Sequence, residues 1–227
     1  MNISQKQIAQ MIDISAVKAE SCVKDVDAIV EAARKYHFIC VFTLPSLAPY
    51  ARQRLAGAGE ILLGGAVGFP SGGPTIATKA FEASELLALG CDELDMVINI
   101  GKLKSGLYQE VADEISQVVR LAGTVPLKVI LEVNLLTDAE IRDGARIVRD
   151  CGARYVKTGT GWLGATSFDH IRTIQEAVGD SIKIKVAGGV RDLDVLLKMH
   201  AMGVSRFGIG HLSAVHIMEE FIRMEKG

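Results

Sequence analysis

Eight short apolar runs recur along this chain, and each is followed by a segment with helical spacing. The runs cover residues 11–15, 38–43, 61–68, 93–98, 127–133, 155–158, 182–187 and 206–209. The helical segments cover 23–36, 46–55, 76–89, 108–121, 138–150, 167–178, 192–202 and 214–224. In the first of these, Val26, Ile29, Val30 and Ala33 fall on one face; in the third, Ala80, Ala83, Leu86 and Leu87 do. Strands regularly followed by helices build parallel βαβ units. Eight units in 227 residues predict a (β/α)₈ TIM barrel, an α/β fold occupying residues 1–227 as a single domain. A doubly wound sheet is the rival. It usually needs fewer strands, and the early turn Gly64-Gly65-Ala66-Val67-Gly68 lacks the GxGxxG spacing of a dinucleotide site. Residues 2–10 are expected to form a short helix closing the bottom of the barrel.

Composition narrows the functional classes. The formal net charge is −2 with signs interspersed, so no basic face for nucleic acid is expected. No apolar run approaches the roughly 20 residues that span a bilayer. The start, Met1-Asn2-Ile3-Ser4-Gln5, lacks the basic-then-apolar order of a signal peptide. Cys22, Cys40, Cys91 and Cys151 form neither a CxxC pair nor a disulfide framework, which predicts reduced thiols in a cytoplasmic protein.

A barrel places its active site at the C-terminal ends of its strands. The polar residues there are Asp13 and Ser15, Asp95 and Asn99, Glu132 and Asn134, Lys157 and Thr158, and Lys185. The stretch 154–161 ends a strand on Lys157 and opens into a glycine turn, and 182–189 repeats the pattern with Lys185. Lysine is rarely buried without a partner or a task. If both lysines point inward from adjacent strands, mutual repulsion and burial lower their pKa values. A neutral amine can then attack a carbonyl and form a Schiff base. Asp95, inside an otherwise apolar strand, is the candidate proton carrier. The alternative is a structural ion-pair network of Lys157, Lys185, Asp95 and Glu132. Lys183 and Lys128, lower on their strands, fit that structural role better.

Glycine turns after the seventh and eighth runs, Gly188-Gly189-Val190-Arg191 and Phe207-Gly208-Ile209-Gly210-His211, occupy the usual phosphate site of a barrel. Such turns also occur simply to make tight connections. His37, His170, His200 and His216 lie in or beside helical segments without HxH or HExxH spacing, so no metal site is expected. Trp162, after the lysine turn, is either a packing residue or a pocket wall.

At these residues the chain resembles the deoxyribose-phosphate aldolase family, class I (Schiff-base) aldolases on a barrel. The resemblance runs nearly end to end. It is carried by 67–70 (VGFP), 78–83 (TKAFEA), 92–101 (DELDMVINIG), 127–132 with 135–138, 156–161 (VKTGTG) and 185–191 (KVAGGVR). It implies Lys157 as the Schiff-base lysine, Lys185 as the second lysine that tunes it, and Asp95 as the proton-relay aspartate. It implies Gly161, Gly188, Gly189, Arg191, Gly208, Gly210 and His211 around a phosphate. The implied enzyme is a lyase of carbohydrate catabolism that cleaves 2-deoxy-D-ribose 5-phosphate reversibly to acetaldehyde and D-glyceraldehyde 3-phosphate. Because the imine is the electron sink, neither metal nor organic cofactor is needed. The partners are a small aldehyde or sugar phosphate. Barrels of this kind are often dimers or larger homo-oligomers.

Four places depart from the family pattern. Asp13-Ile14-Ser15 stands where Asp-His/Leu-Thr is common. Val41-Phe42-Thr43-Leu44 precedes Pro45 where Cys and Asn or Tyr are frequent. Gly210 and His211 replace phosphate-facing serines, and Trp162 replaces a lysine found in some members. The amine machinery is therefore intact and the phosphate grip altered. Two alternatives follow: a Schiff-base aldolase for a different sugar-like or non-phosphorylated substrate, and a metabolite-binding barrel without turnover.

Overall fold

The computed structural model describes residues 3–226; Met1, Asn2 and Gly227, on which the start of the expected first helix, the limits of the expected domain and part of the reading of the chain's start fall, lie outside the described residues. Eight parallel strands close into a barrel in sequential order. They are β1 (Ile12–Ala16), β2 (Cys40–Thr43), β3 (Leu62–Val67), β4 (Glu93–Val97), β5 (Leu127–Ile130), β6 (Tyr155–Lys157), β7 (Lys183–Ala187) and β8 (Val204–Gly210). The helices are α1 (Gln5–Ala9), α2 (Val23–Tyr36), α3 (Ala48–Arg54), α4 (Ile76–Ala88), α5 (Ile100–Lys104), α6 (Tyr108–Ala122), α7 (Asp138–Asp150), α8 (Phe168–Val178), α9 (Leu193–Ala201) and α10 (His211–Lys226). Among the described residues every expected strand and helix is present, α2 and α7 with the expected bounds and the others with shifted ends. No described helix is long and apolar enough to cross a membrane.

Local chemistry starts the helices where the chain leaves the strands. Thr137 and Glu140 form a reciprocal capping box at the head of α7, and Asp192 accepts from the Val195 N–H to open α9. α5 was not expected from periodicity. It is one short turn of helix, capped by the Asn99 side chain, which accepts from the Lys102 N–H at 3.0 Å. Asn99 therefore serves the backbone rather than the pocket.

The apolar core lies between the barrel and its ring of helices. Ile12, Ile14, Val41, Leu94, Met96, Val129, Val156, Val186 and Phe207 point outward from the strands and are buried under the helices. Period-two alternation then turns the intervening residues inward. Barrel interiors are usually filled by branched apolar side chains. Here, among the described residues, Asp13, Glu93, Asp95, Lys128, Lys157, Lys185 and Arg206 are joined by ion contacts through the centre.

Two sequence expectations change. The fifth run was expected to extend through 133, but β5 ends at Ile130 and Glu132 adopts φ 61°, in the left-handed region. The Glu132 carboxylate accepts from both the N–H and the hydroxyl of Thr160, which fastens this bend to the turn after β6. The expected turn at 207–211 is instead the end of β8, which passes directly into α10 at His211. Gly208 is a ladder residue facing Asp13 on one side and Ala187 on the other.

Candidate active site

The strand register determines which side chains meet. Lys157 pairs with Lys185 across β6 and β7, and Asp95 pairs with Lys128 across β4 and β5. Lys157 and Lys185 lie at the same height and point inward toward one carboxylate. Lys157 Nζ is 2.7 Å and Lys185 Nζ 2.6 Å from Asp95 Oδ2. Lys185 Nζ also lies 2.6 Å from Asp13 Oδ2. Lys128 Nζ stands 3.2 Å from Asp95 Oδ1, an ion contact rather than an aligned hydrogen bond, and donates to Glu93 at 2.6 Å. Arg206 closes the lower end by bridging Asp13 and Glu93.

The charge count of this network matters. Four cations (Lys128, Lys157, Lys185, Arg206) meet three carboxylates (Asp13, Glu93, Asp95), so the cluster is neutral when one cation gives up its proton. Burial lowers the Lys157 pKa to about 8, and the Lys185 and Lys128 ammoniums push it the same way against the opposing pull of Asp95. The Asp95 carboxyl is buried, which alone would raise its pKa, but Lys128, Lys157 and Lys185 together hold it far below the usual carboxylate range. Lys128 is held well above the ordinary lysine range by Asp95, Asp13 and Glu93, which outweigh its own burial. Arginine has no accessible neutral form, so Lys157 carries the labile proton.

Packing confines the amines. Phe42 lies over them, its ring centroid 4.3 Å from Lys185 Nζ and 4.9 Å from Lys128 Nζ. Gly64 makes room for that ring, since a Cβ there would lie 2.1 Å from Phe42 Cζ. Gly208 leaves space beside both lysine stems; its Cβ would sit 3.5 Å from Lys185 Cε and 4.0 Å from Lys157 Cε. A cavity of about 30 Å³ opens above, lined by Lys157, Lys185, Asp95, Asp13, Phe42, Phe69 and Thr160 among others. Asp13, Cys40 and Glu93 bring metal-ligand atom types within 4.8 Å of one another lower in the barrel. Arg206 and Lys128 already donate into this group, and burial pushes the Cys40 thiol up, so it is built as an ion-pair cluster.

Lys157, Lys185, Asp95 and Gly208 thus converge on one cavity. Gly161, Gly188 and Gly189 form the adjoining wall where the loop after β6 packs on the turn after β7. A Cβ on Gly188 would lie 2.5 Å from the Gly164 carbonyl oxygen, and one on Gly189 2.4 Å from Ala165 Cβ. Arg191, exposed, and Gly210 and His211 stand on the rim and do not line the cavity. Sequence reasoning left Lys128 in a purely structural position and did not single out Asp13 as a partner of Lys185. Asp13 stood among the polar residues expected at the active-site end, and Lys128 only as an inward-facing strand position. Thr158 turns away, its hydroxyl meeting Thr166 and Ala187.

A family profile described as DeoC/LacD family aldolase matches residues 4–213. The chain belongs to this family. A deoxyribose-phosphate aldolase of Sinorhizobium medicae is 45% identical over 220 residues, covering 96% of this chain and 89% of its own. One from Klebsiella pneumoniae is 41% identical over 224 residues, covering 97% and 90%. Among solved structures, the tetrameric deoxyribose phosphate aldolase of Aeropyrum pernix superposes with a TM-score of 0.87 at 27% identity, covering 97% of this chain and 93% of its own. An aldolase designated QR15 gives 0.90 at 29%, covering 96% and 97%. The DeoC/LacD barrel is therefore the frame on which this lysine pair is mounted.

Proposed function

We propose that the chain, acting as one barrel domain, is a class I deoxyribose-phosphate aldolase. The observation that carries this is the buried Lys157 amine, its pKa lowered to about 8, sharing Asp95 Oδ2 with Lys185 at the mouth of the barrel. An amine poised near neutrality attacks a carbonyl at physiological pH. Lys157 adds to the C1 aldehyde of open-chain 2-deoxyribose 5-phosphate, and loss of water gives an iminium ion. Loss of the C3 hydroxyl proton to water breaks the C2–C3 bond. Its electron pair moves into an enamine on Lys157, and glyceraldehyde 3-phosphate leaves. Protonation at C2 restores the iminium, and water releases acetaldehyde and the amine.

Asp95 and Lys185 act on this cycle through Lys157. Asp95, ionised at rest, orients both amines, and a water held at its Oδ2 carries protons to and from the Lys157 amine and the substrate. Lys185 helps lower the Lys157 pKa, which raises the share of free amine near neutrality, and offsets negative charge developing at C3–O. The phosphate is held at the rim by backbone N–H groups of Gly161, Gly188, Gly189 and Gly210, with Arg191 and His211 supplying cationic or hydrogen-bonding side chains, while Gly208 leaves room for the substrate beside the lysine stems. Electron withdrawal by the iminium supplies what a metal or organic cofactor would. A cytoplasmic homo-oligomer fits the reading, in line with the tetrameric Aeropyrum pernix relative.

Trp162 and His211 at the rim favour one second reading, the same imine chemistry on a different or non-phosphorylated acceptor. Borohydride reduction with acetaldehyde or 2-deoxyribose 5-phosphate, each run separately, tests the proposal. A stable adduct on Lys157 with both supports it. An adduct with acetaldehyde alone supports the second reading. No adduct from folded protein removes both in favour of a metabolite-binding barrel. Dependence of kcat/KM on the substrate phosphate separates the two aldolase readings.

A further inference from the structure

One side chain reaches across the mouth of the barrel from the loop after β6 to those after β1 and β3. Trp162 follows the glycine turn after β6, and its indole Nε1–H donates to the Val17 carbonyl, in the loop after β1, at 3.0 Å. Its ring meets Phe69, in the loop after β3, edge-on at 5.8 Å and 84°. Val17, Phe69 and Thr160 all line the cavity. The indole therefore ties together three loops that are distant in sequence, reaching from the loop after β6 to two residues of the cavity wall on the loops after β1 and β3.

The two ends of this bar are held differently. At its base, the Trp162 N–H donates to Thr160 Oγ1 at 3.1 Å, and Thr160 is itself fixed by the buried Glu132 carboxylate. At its tip there is one neutral hydrogen bond and one edge contact, and the residue is 42% exposed. A pivot anchored at the base and loosely latched at the tip can swing without disturbing Lys157. The cavity beneath, about 30 Å³, is room for on the order of two waters, far below the several hundred Å³ of pockets that enclose larger ligands.

We propose that Trp162 determines substrate size in this site: a two-carbon aldehyde reaches Lys157 beneath the indole, whereas a sugar phosphate must displace it and break the Nε1–Val17 bond. This inference rests on the aldolase reading. Binding of the longer substrate then carries the cost of unlatching, which appears in KM rather than in kcat.

Trp162 is the only tryptophan in the chain, so intrinsic emission reports on the bar directly. In wild-type protein, rapid mixing with 2-deoxyribose 5-phosphate is expected to shift emission to longer wavelength within the first turnover, as the indole enters water. Acetaldehyde at trapping concentrations is expected to give no comparable shift. Trp162→Phe keeps an aromatic cover without the hydrogen bond. It is expected to lower KM for the sugar phosphate severalfold, with a change at least threefold larger than that in kcat or in acetaldehyde trapping. Trp162→Ala, checked for folding by circular dichroism, should show the same split. Equal emission responses to both compounds, no response to the sugar, or parallel changes in sugar and acetaldehyde parameters would overturn the proposal. Wild-type protein that traps acetaldehyde on Lys157 while failing these tests removes the Trp162 assignment alone. Wild-type protein that traps nothing removes the aldolase reading and this inference with it.

Discussion

Lys157 and Asp95 are 62 residues apart in the chain and 2.7 Å apart across the barrel, with a whole strand between the two that carry them. The same Asp95 oxygen receives Lys185 from the next strand. A carboxylate shared by two amines cannot neutralise both fully, and this sharing keeps one amine close to losing its proton.

Lys157→Ala or Lys157→Leu should abolish aldolase activity and borohydride trapping while the fold persists. The substitution removes the least compensated cation of the cluster, so stability should not fall as it would on loss of a carboxylate. Substantial turnover by the folded variant would refute the assignment; circular dichroism and intact-mass measurement of the reduced adduct check both halves.

The pH profile follows from the Lys157 amine. With a pKa of about 8 the free amine is the minor form at neutrality, so kcat/KM for imine formation should rise about tenfold per pH unit below 8 and level off above it. Between about pH 8 and the ordinary lysine range, the unfolded chain holds this proton and the folded chain does not. The contribution of Lys157 to stability therefore rises with pH through that window, which urea unfolding at several pH values would detect.

Lys185→Met removes one of the ammoniums that push the Lys157 proton off and leaves three cations facing three carboxylates. The Lys157 pKa should rise, moving the acid limb of the kcat/KM profile to higher pH. Each unit of that rise lowers activity at neutrality about tenfold. A limb that stays near 8 would show that burial alone sets the amine.

Asp95→Asn should act in the opposite direction on the amine and against the fold. Asp95 favours the protonated form of Lys157, so residual activity should show an acid limb shifted to lower pH. Lys128, Lys157 and Lys185 would lose their common partner, at a cost of about 3 kcal/mol or more in unfolding free energy. Chemical denaturation gives the stability term. Activity should drop by at least about 10²-fold, because a displacement of roughly 1 Å at the amine is enough to do so.

Gly64→Ala tests the ceiling of the site. The added methyl would stand 2.1 Å from the Phe42 ring and force it toward the lysines and the cavity. The expected cost is about 1–3 kcal/mol in stability together with a loss of activity. Phe42→Ala in the same chain should recover part of both. A double-mutant cycle should then give a coupling energy well away from zero; additivity would mean the two residues do not meet as described.

The sequence by itself determined the architecture, because periodicity is a local property. Eight apolar runs alternating with amphipathic segments leave little choice but a parallel barrel, and period-two alternation sends Lys157 and Lys185 inward from adjacent strands. A carboxylate inside an otherwise apolar strand also marked Asp95. Other features were out of reach. Lys128 and Asp13 join the amine network because β5 and β1 close the barrel in one register, and a shift of one residue would turn them outward. Glu132 leaves its strand early because its carboxylate is claimed by Thr160 from the next unit. Trp162 finds Val17 145 residues away. Pattern fixes which way a side chain faces. Only closure of the barrel decides which charges share a carboxylate, because that depends on distances across the structure between residues remote in the chain.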